Sequence, residues 1–375
     1  MIKLLVLLAA SLVLAYRSEQ NTRTACAAGY RYSLWTDLAY VGLVLILTLF
    51  AGLRTSYNDT WNYISAYRQA PVFSQWVADP ENLNPFKNPL FYCFQSLLKS
   101  VTDDPQWLIF LTSLITQSCF VRFFKRYSEH FCFSIFIYFT LGTFVFSLAA
   151  LKQVMGMAIV TLSFSYLKRK QWVRYYLIVL IAMMVHTYAI AFAVLPLFQT
   201  RPWRLFTYLF VILTIVLMRN FESAITTFME QANDLGKTLA DYEVFNDHSI
   251  NLFRLAVYAV PPVVSLVFQK WALHNSSKMD HVLIHMGIIS LAFMAMGTQA
   301  GANMFARMAT YFELGAICIL PTMLKRTFDE RSYRLIASVA YVCFLGFFVY
   351  ANAINIQFDV EYRAITIWQF LQTIF

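Results

Sequence analysis

Charge is what this chain lacks most. Only 13% of its 375 residues are charged, whereas 59% are hydrophobic and mean hydropathy is +0.56. A soluble domain of that length needs a charged surface, so the scarcity excludes one. The six cysteines form no C-x-x-C pair. Cys119, Cys132, Cys318 and Cys343 sit in or beside apolar runs, and Cys26 and Cys93 outside them, which argues against a disulfide framework and a zinc site. There is no G-x-x-x-x-G-K-[ST] phosphate loop and no dinucleotide fingerprint, so nothing couples the chain to nucleotide hydrolysis. Any reaction must use energy already stored in its substrate. Soluble domains, low-complexity tracts and clear internal repeats are missing as well.

What is there is a succession of apolar runs, each able to cross a hydrocarbon core of about 30 Å with about 20 residues. Helices are predicted over 1–17, 33–52, 104–124, 129–147, 149–168, 203–219, 250–271, 280–298, 303–324 and 333–353. The net charge of +9 gathers beside these runs, in RFFKRY (122–127), KRKQWVR (168–174) and KRTFDERSYR (325–334). That is the pattern of cytoplasmic anchors and not of nucleic-acid binding. MIKLLVLLAASLVLAY has the charged and apolar parts of a signal peptide, but RSEQNTRTACAAG behind it offers no convincing cleavage site, so a retained first helix is expected.

Orientation follows from the basic residues. Arg17, Arg23 and Arg31, against Lys3, put the loop after the first helix inside, and the second helix then delivers its polar end outside. Lys325, Arg326, Arg331 and Arg334 inside place 220–249 outside, so 171–219 crosses an odd number of times. A hairpin of 171–185 and 188–201, with His186 at its outer tip, gives about twelve spans; one long crossing followed by a surface helix is the rival. The expectation is a single all-α integral membrane domain over 1–375 with outer segments 53–103 and 220–249. The apolar end of NLNPFKNPLFYCFQSLLKS is expected as a helix lying on the membrane surface.

GLRTSYNDTWNY (52–63) holds an arginine, an aspartate, two asparagines and three aromatics where a connector needs only a turn. Facing outward, it suits a charged and sugar-like ligand. Charged groups in membrane segments are costly and usually face a cavity or a partner. Arg54 with Asp59 and Tyr63 is the first such place; in a helix Asp59 and Tyr63 share a face. An Arg–Asp pair that only anchors the helix end is the bland alternative. Lys152 with Gln153 in SLAALKQVMGMAIV is the second, and meets a lipid phosphate or snorkels to the interface. His186 in MMVHTYAIAF is the third. A lone histidine among apolar residues is usually structural, but one facing a cavity suits a general base. Arg307 is the fourth: Asn303, Arg307 and Tyr311 fall roughly on one helical face, where the arginine forks a phosphate or pairs with Glu313. TDDP (102–105) reads as a helix start, with Asp104 as cap and Pro105 in the first turn, over a double-aspartate metal motif. His281 and His285 lack the glutamate of H-E-x-x-H and read as interfacial residues.

These stretches resemble, in order, the pieces of one family. GLRTSYNDTWNY is similar to the aGLR…D-T-x-N-Y signature of the EpsG family of bacterial polysaccharide polymerases. ALKQVMGMA resembles its R-Q-x-x-A segment, with Lys152 keeping positive charge where arginine is usual. MMVHTYAIAFAVLPL resembles its apolar-H-x-[ST]-A segment, and FARMATYFELGAICILP its sRxxxYF…lP helix. VEYRAI (360–365) resembles its terminal P-Y-[KR] element without the proline.

The resemblance implies a Wzy-type repeat-unit polymerase of the bacterial inner membrane with GT-C-like architecture. Its substrates would be undecaprenyl-diphosphate-linked glycans at the periplasmic face, with no cofactor or metal, and a chain-length regulator protein is a candidate partner. It implies His186 or Asp59 as the base, and Arg54, Lys152, Gln153, Arg307, Tyr311, Tyr63, Asn62 and Arg363 on the substrate and its diphosphate. The rivals are a lipid-linked oligosaccharide flippase, which should show repeats, an O-antigen ligase, which differs only in acceptor, and a membrane acyltransferase.

Overall fold

The computed structural model describes residues 1–29, 32–220, 249–299, 302–355 and 358–372. The outer segment expected over 220–249 lies, but for its two end residues, outside the described residues. The described chain is mainly helical and divides into two compact units. One comprises Met1–Tyr166, Gln171–Ile190 and Tyr341–Phe375, the other Leu167–Lys170 and Ala191–Ala340. Each is described by itself.

Among the described residues, four helices are long and apolar enough to cross a membrane: Gln106–Tyr127, Lys278–Met296, Met304–Thr327 and Glu330–Ala353. Phe131–Thr140 and Thr143–Ala149, bent by 55°, make a fifth if they are one span. The bend falls at Gly142, whose φ of +91° is open to glycine because it has no Cβ to clash. Shorter apolar helices, among them Leu38–Gly52, Leu205–Arg219 and Leu252–Val267, stand where other crossings are expected.

The first unit opens with α1 (Ile2–Ala27), α2 (Leu38–Gly52), β1 (Arg54–Ser56), α3 (Thr60–Gln69), α4 (Phe73–Ala78), α5 (Pro89–Lys99) and α6 (Gln106–Tyr127). It continues with α7 (Phe131–Thr140), α8 (Thr143–Ala149), α9 (Leu151–Thr161), α10 (Phe164–Lys168), whose last two residues are counted with the second unit, and α11 (Trp172–Val185). α1 outruns its predicted end at residue 17, supported by the Glu19–Arg23 pair one turn apart, at 2.5 Å. α2 starts at Asp37, a buried cap whose Oδ1 accepts the N–H groups of Ala39 (3.1 Å) and Tyr40 (3.4 Å). Its carboxylate also accepts from Ser18 (2.6 Å), Asn21 (2.8 Å) and Tyr32 (2.5 Å). Burial pushes the Asp37 carboxyl up, but these donors outweigh it and hold the group below its ordinary value. α2 packs on α6, and Gly52 permits the contact: a Cβ there would lie 2.8 Å from the Phe110 ring and 3.1 Å from its Cα. α6 begins one residue later than expected, with Pro105 at the cap position, Asp104 Oδ1 accepting the Gln106 N–H at 2.8 Å and Asp103 paired with Lys99 at 2.7 Å.

In the second unit, α12 (Leu205–Arg219), α13 (Leu252–Val267), α14 (Gln269–Ala272), α15 (Lys278–Met296) and α16 (Ala302–Thr327) pack together. α15 and α16 form the tightest pair, with Ser290 Oγ donating to the Ala309 carbonyl at 2.9 Å. His285 departs from its interfacial reading. It is 1% exposed, its Nε2 sits 2.9 Å from Thr207 Oγ1 and its Nδ1 2.9 Å from the His281 carbonyl. It fastens α15 to α12, because a buried imidazole must be answered at both nitrogens.

The chain returns to the first unit along α17 (Glu330–Val349), where Tyr341 stacks on Phe133 with ring centroids 4.5 Å apart. It ends in α18 (Phe358–Glu361), β2 (Arg363–Ala364) and α19 (Ile367–Leu371). β2 pairs antiparallel with β1, Arg54 opposite Ala364 and Ser56 opposite Arg363, and the Ile365 N–H extends the pairing to the Leu53 carbonyl at 2.9 Å. This two-stranded ribbon interrupts an otherwise helical architecture.

Candidate functional site

Arg54 is the centre of the polar turn, and its side chain is fully buried. Its Nε donates to Thr60 Oγ1 at 3.2 Å, and one terminal nitrogen donates to the Ala51 carbonyl and, at 3.2 Å, to Ser113 Oγ. The other terminal nitrogen has no hydrogen-bond partner among the described residues. Thr60 donates onward to the Tyr57 carbonyl at 2.6 Å, closing the turn through Asn58 at φ +45°. From the far side, Gln106 Nε2 donates to the carbonyls of Gly52 (2.6 Å) and Arg54 (3.2 Å). Among the described residues Arg54 makes no ion pair, so it does not anchor the helix end through Asp59. Burial lowers its pKa to about 10, opposed by nearby Tyr362, Tyr63 and Tyr57, which leaves a cation at neutral pH. A buried cation short of a partner is costly and therefore informative.

The ribbon covers this turn. Tyr362 donates to the Phe50 carbonyl at 2.7 Å and stacks on the Phe50 ring at 4.6 Å, with Phe358 5.1 Å away on the same stack. Arg363 is exposed beside it, opposite Ser56.

α3 carries the rest of the stretch. Asp59 is half-buried at its cap position, and its carbonyl accepts the Tyr63 N–H at 3.2 Å, which sets the two one turn apart as predicted. Asn58 and Asn62 are exposed, as is Trp61, with the Arg68 guanidinium 5.9 Å from its ring. Tyr63 turns inward, edge-on to Phe91 at 6.3 Å. Phe91 belongs to a buried cluster with Tyr67, Leu108, Met155 and Val185, and Tyr63 packs at its margin.

That cluster gathers the other motifs. Lys152, one turn before Met155, has its Nζ 3.0 Å from the Tyr92 hydroxyl and 5.0 Å from the Tyr92 ring centroid, and Gln153 beside it is buried. His186 directly follows Val185. α11 ends there in extended backbone (φ −150°), so the expected break in the segment falls at this histidine. Its imidazole is half-buried, edge-on to Tyr188 at 5.1 Å. Thr187 ties the break to the start of α5: its N–H donates to Asn88 Oδ1 at 3.0 Å and its hydroxyl to the Phe86 carbonyl at 3.1 Å.

Arg307 and Tyr311 belong to the second unit, on α16. Arg307 is half-buried and Tyr311 fully buried, 5.9 Å from Phe192. Glu313 accepts a hydrogen bond from the Tyr258 hydroxyl. The first unit thus contains Arg54, Asp59, Asn62, Tyr63, Lys152, Gln153, His186 and Arg363, and the second Arg307 and Tyr311.

Sequence reasoning missed several supports. Gln106 and Ser113 hold Arg54 from an apolar helix and carry no signal of that role. Tyr92 and Asn88 lie in the stretch whose apolar end is expected as a helix on the membrane surface. Tyr362 was within reach, being the aromatic next to Arg363.

Apolar helices across both units define a multi-pass membrane protein. The chain belongs to the EpsG family, whose model matches residues 37–364, and membership makes it a membrane protein of polysaccharide biosynthesis. Neither the curated proteins nor the solved structures gave a match.

Proposed function

We propose that this protein is a Wzy-type polymerase that joins undecaprenyl-diphosphate-linked repeat units at the outer face of the bacterial inner membrane. One observation carries the reading: segments far apart in sequence, contributing Tyr63, Met155 and Val185, meet around Phe91 and bring their polar neighbours with them. The chemistry is a displacement. An acceptor hydroxyl oxygen bonds to the anomeric carbon of the growing glycan, the bond from that carbon to the lipid diphosphate breaks, and the diphosphate leaves with the bonding pair. His186 or Asp59 takes the hydroxyl proton. Lys152, Arg54 and Arg307 stabilise the departing diphosphate, with Gln153, Asn62, Tyr63, Tyr311 and Arg363 positioning the substrate. Exposed Trp61 offers a face for sugar stacking. Since Arg54 is covered, this role requires the β1–β2 ribbon to shift when substrate enters.

In this reading the chain crosses about twelve times in a GT-C-like arrangement, α1, α9 and the shorter apolar helices supplying the remaining crossings, with a chain-length regulator as partner. A 15-residue helix rises only about 22 Å, so those crossings are completed by flanking turns or by local thinning of the bilayer. The test is the lipid-linked product pattern after gene deletion. Survival of single-unit product with loss of polymer is expected; loss of both indicates a flippase instead.

A further inference from the structure

RFFKRY, read as one cytoplasmic anchor, divides in the structure. Lys125 turns inward: its Nζ donates to the Ser18 carbonyl at 2.8 Å and lies over the rings of Tyr32 (5.2 Å) and Phe131 (4.7 Å). Arg122 and Arg126 do not follow it. Both are exposed, one turn apart on α6, and line a cavity of about 210 Å³. Its other walls include the polar Ser165 and Tyr166 and the apolar Leu162 and Ile178.

Like charges at i and i+4 repel on a helix, and among the described residues neither arginine forms an ion pair. The Arg126 guanidinium lies 5.9 Å from the Tyr127 ring. The cavity is smaller than the roughly 300–1,000 Å³ of pockets that enclose a drug-sized ligand, which suits a headgroup and not an oligosaccharide. Gln106, which holds the Arg54 turn, opens the same helix; Arg122 lies sixteen residues on, about 24 Å along the axis. The cavity is therefore separate from the polar turn, at the opposite end of a membrane-crossing helix.

We propose that this cavity binds the phosphate of an anionic phospholipid, with the Arg122 and Arg126 guanidiniums on the phosphate and Leu162 and Ile178 against its acyl chain. Two guanidiniums suit a phosphate better than point charges do, and basic pockets between membrane helices are a recurrent means of holding acidic headgroups. The proposal depends on α6 crossing the membrane and not on the sugar chemistry assigned to the protein.

The test is native mass spectrometry of the purified full chain from nanodiscs of phosphatidylcholine with added phosphatidylglycerol. The wild type is expected to retain a phosphatidylglycerol that the Arg122→Gln/Arg126→Gln variant binds at least tenfold more weakly. Arg331→Gln/Arg334→Gln, which removes equal charge from an exposed surface outside the cavity, is expected to retain it. Equal retention by wild type and the cavity variant overturns the proposal, as does equal loss in the surface control. Displacement of the lipid by inorganic phosphate would overturn the lipid assignment in favour of a soluble phosphate. A thermal melt checks that the variant is folded; if it is not, Arg122→Gln alone is read in the same way.

Discussion

α2 has a buried charge beyond each end, and the two are built differently. Asp37, before its first turn, is answered by three side-chain donors and two backbone N–H groups. Arg54, just past its last turn, is held by three acceptors, yet one terminal nitrogen is unpartnered among the described residues. A buried charge with its hydrogen bonds satisfied rigidifies the fold around it. One left short destabilises its surroundings until something anionic approaches. Asp37 thus reads as a fastening and Arg54 as a candidate site, though both are buried, charged and flank the same helix. Burial of a charge does not tell function from structure; the count of answered bonds does.

Arg54→Ala breaks this comparison most directly. It is expected to abolish polymer while protein persists in the membrane, read from gels of lipid-linked glycans beside immunoblots. Arg54→Lys should rescue little, since an ammonium cannot reach Thr60, Ala51 and Ser113 together. Polymer at wild-type levels in Arg54→Ala would make both ends fastenings.

His186→Gln extends the contrast to the histidines. His285 is buried between two helices, whereas His186 is half-buried at a helix break. If His186 is the base, the glutamine variant slows glycosyl transfer by about two to four orders of magnitude with substrate binding little changed. A near-normal single-turnover rate would make His186 structural and leave Asp59 as the base.

Asp37→Ala should act on stability, by about 3 kcal/mol, because Ser18, Asn21 and Tyr32 are left without their acceptor. The folded Asp37 carboxyl lies below its ordinary value. Its contribution is therefore full above about pH 4, the unfolded value, and is lost as pH falls through the lower folded one. Thermal melts from pH 7 to pH 3 should show that loss in the wild type, while Asp37→Asn loses less over the same window. Smaller still, Gly52→Ala should cost about 1–2 kcal/mol by pushing α2 off Phe110. The smallest effect expected is that of Lys152→Arg, which keeps the charge beside Tyr92 and should polymerise at close to the wild-type rate.

Helix positions were legible because apolar runs and caps are local. Asp104 announces α6 by its place before Pro105, and the predicted 104–124, 203–219 and 280–298 match helices to within three residues. The break inside 129–147 was not legible, since the conformation of Gly142 shows only in its backbone angle. Nor was the ribbon: strands of two and three residues have no alternation to read. The site divides in the same way. Arg54, Asp59, Lys152 and His186 stand out as polar groups in apolar surroundings, whereas the residues that hold them belong to other helices and gain their roles only by packing.

The β1–β2 ribbon also fixes an order of events. Tyr362 seals the Phe50 carbonyl across 312 residues of chain. During synthesis Arg54 and its turn therefore emerge from the ribosome long before the strand that covers them, and a contact of that span closes late because the loop between must first be ordered. A nascent chain halted before Tyr362 would hold every charged group of the polar turn and lack the strand that pairs with it. Covering of the polar turn is thus a late event in the folding of the first unit, and Arg54 is closed in only after the helices that hold it have been made.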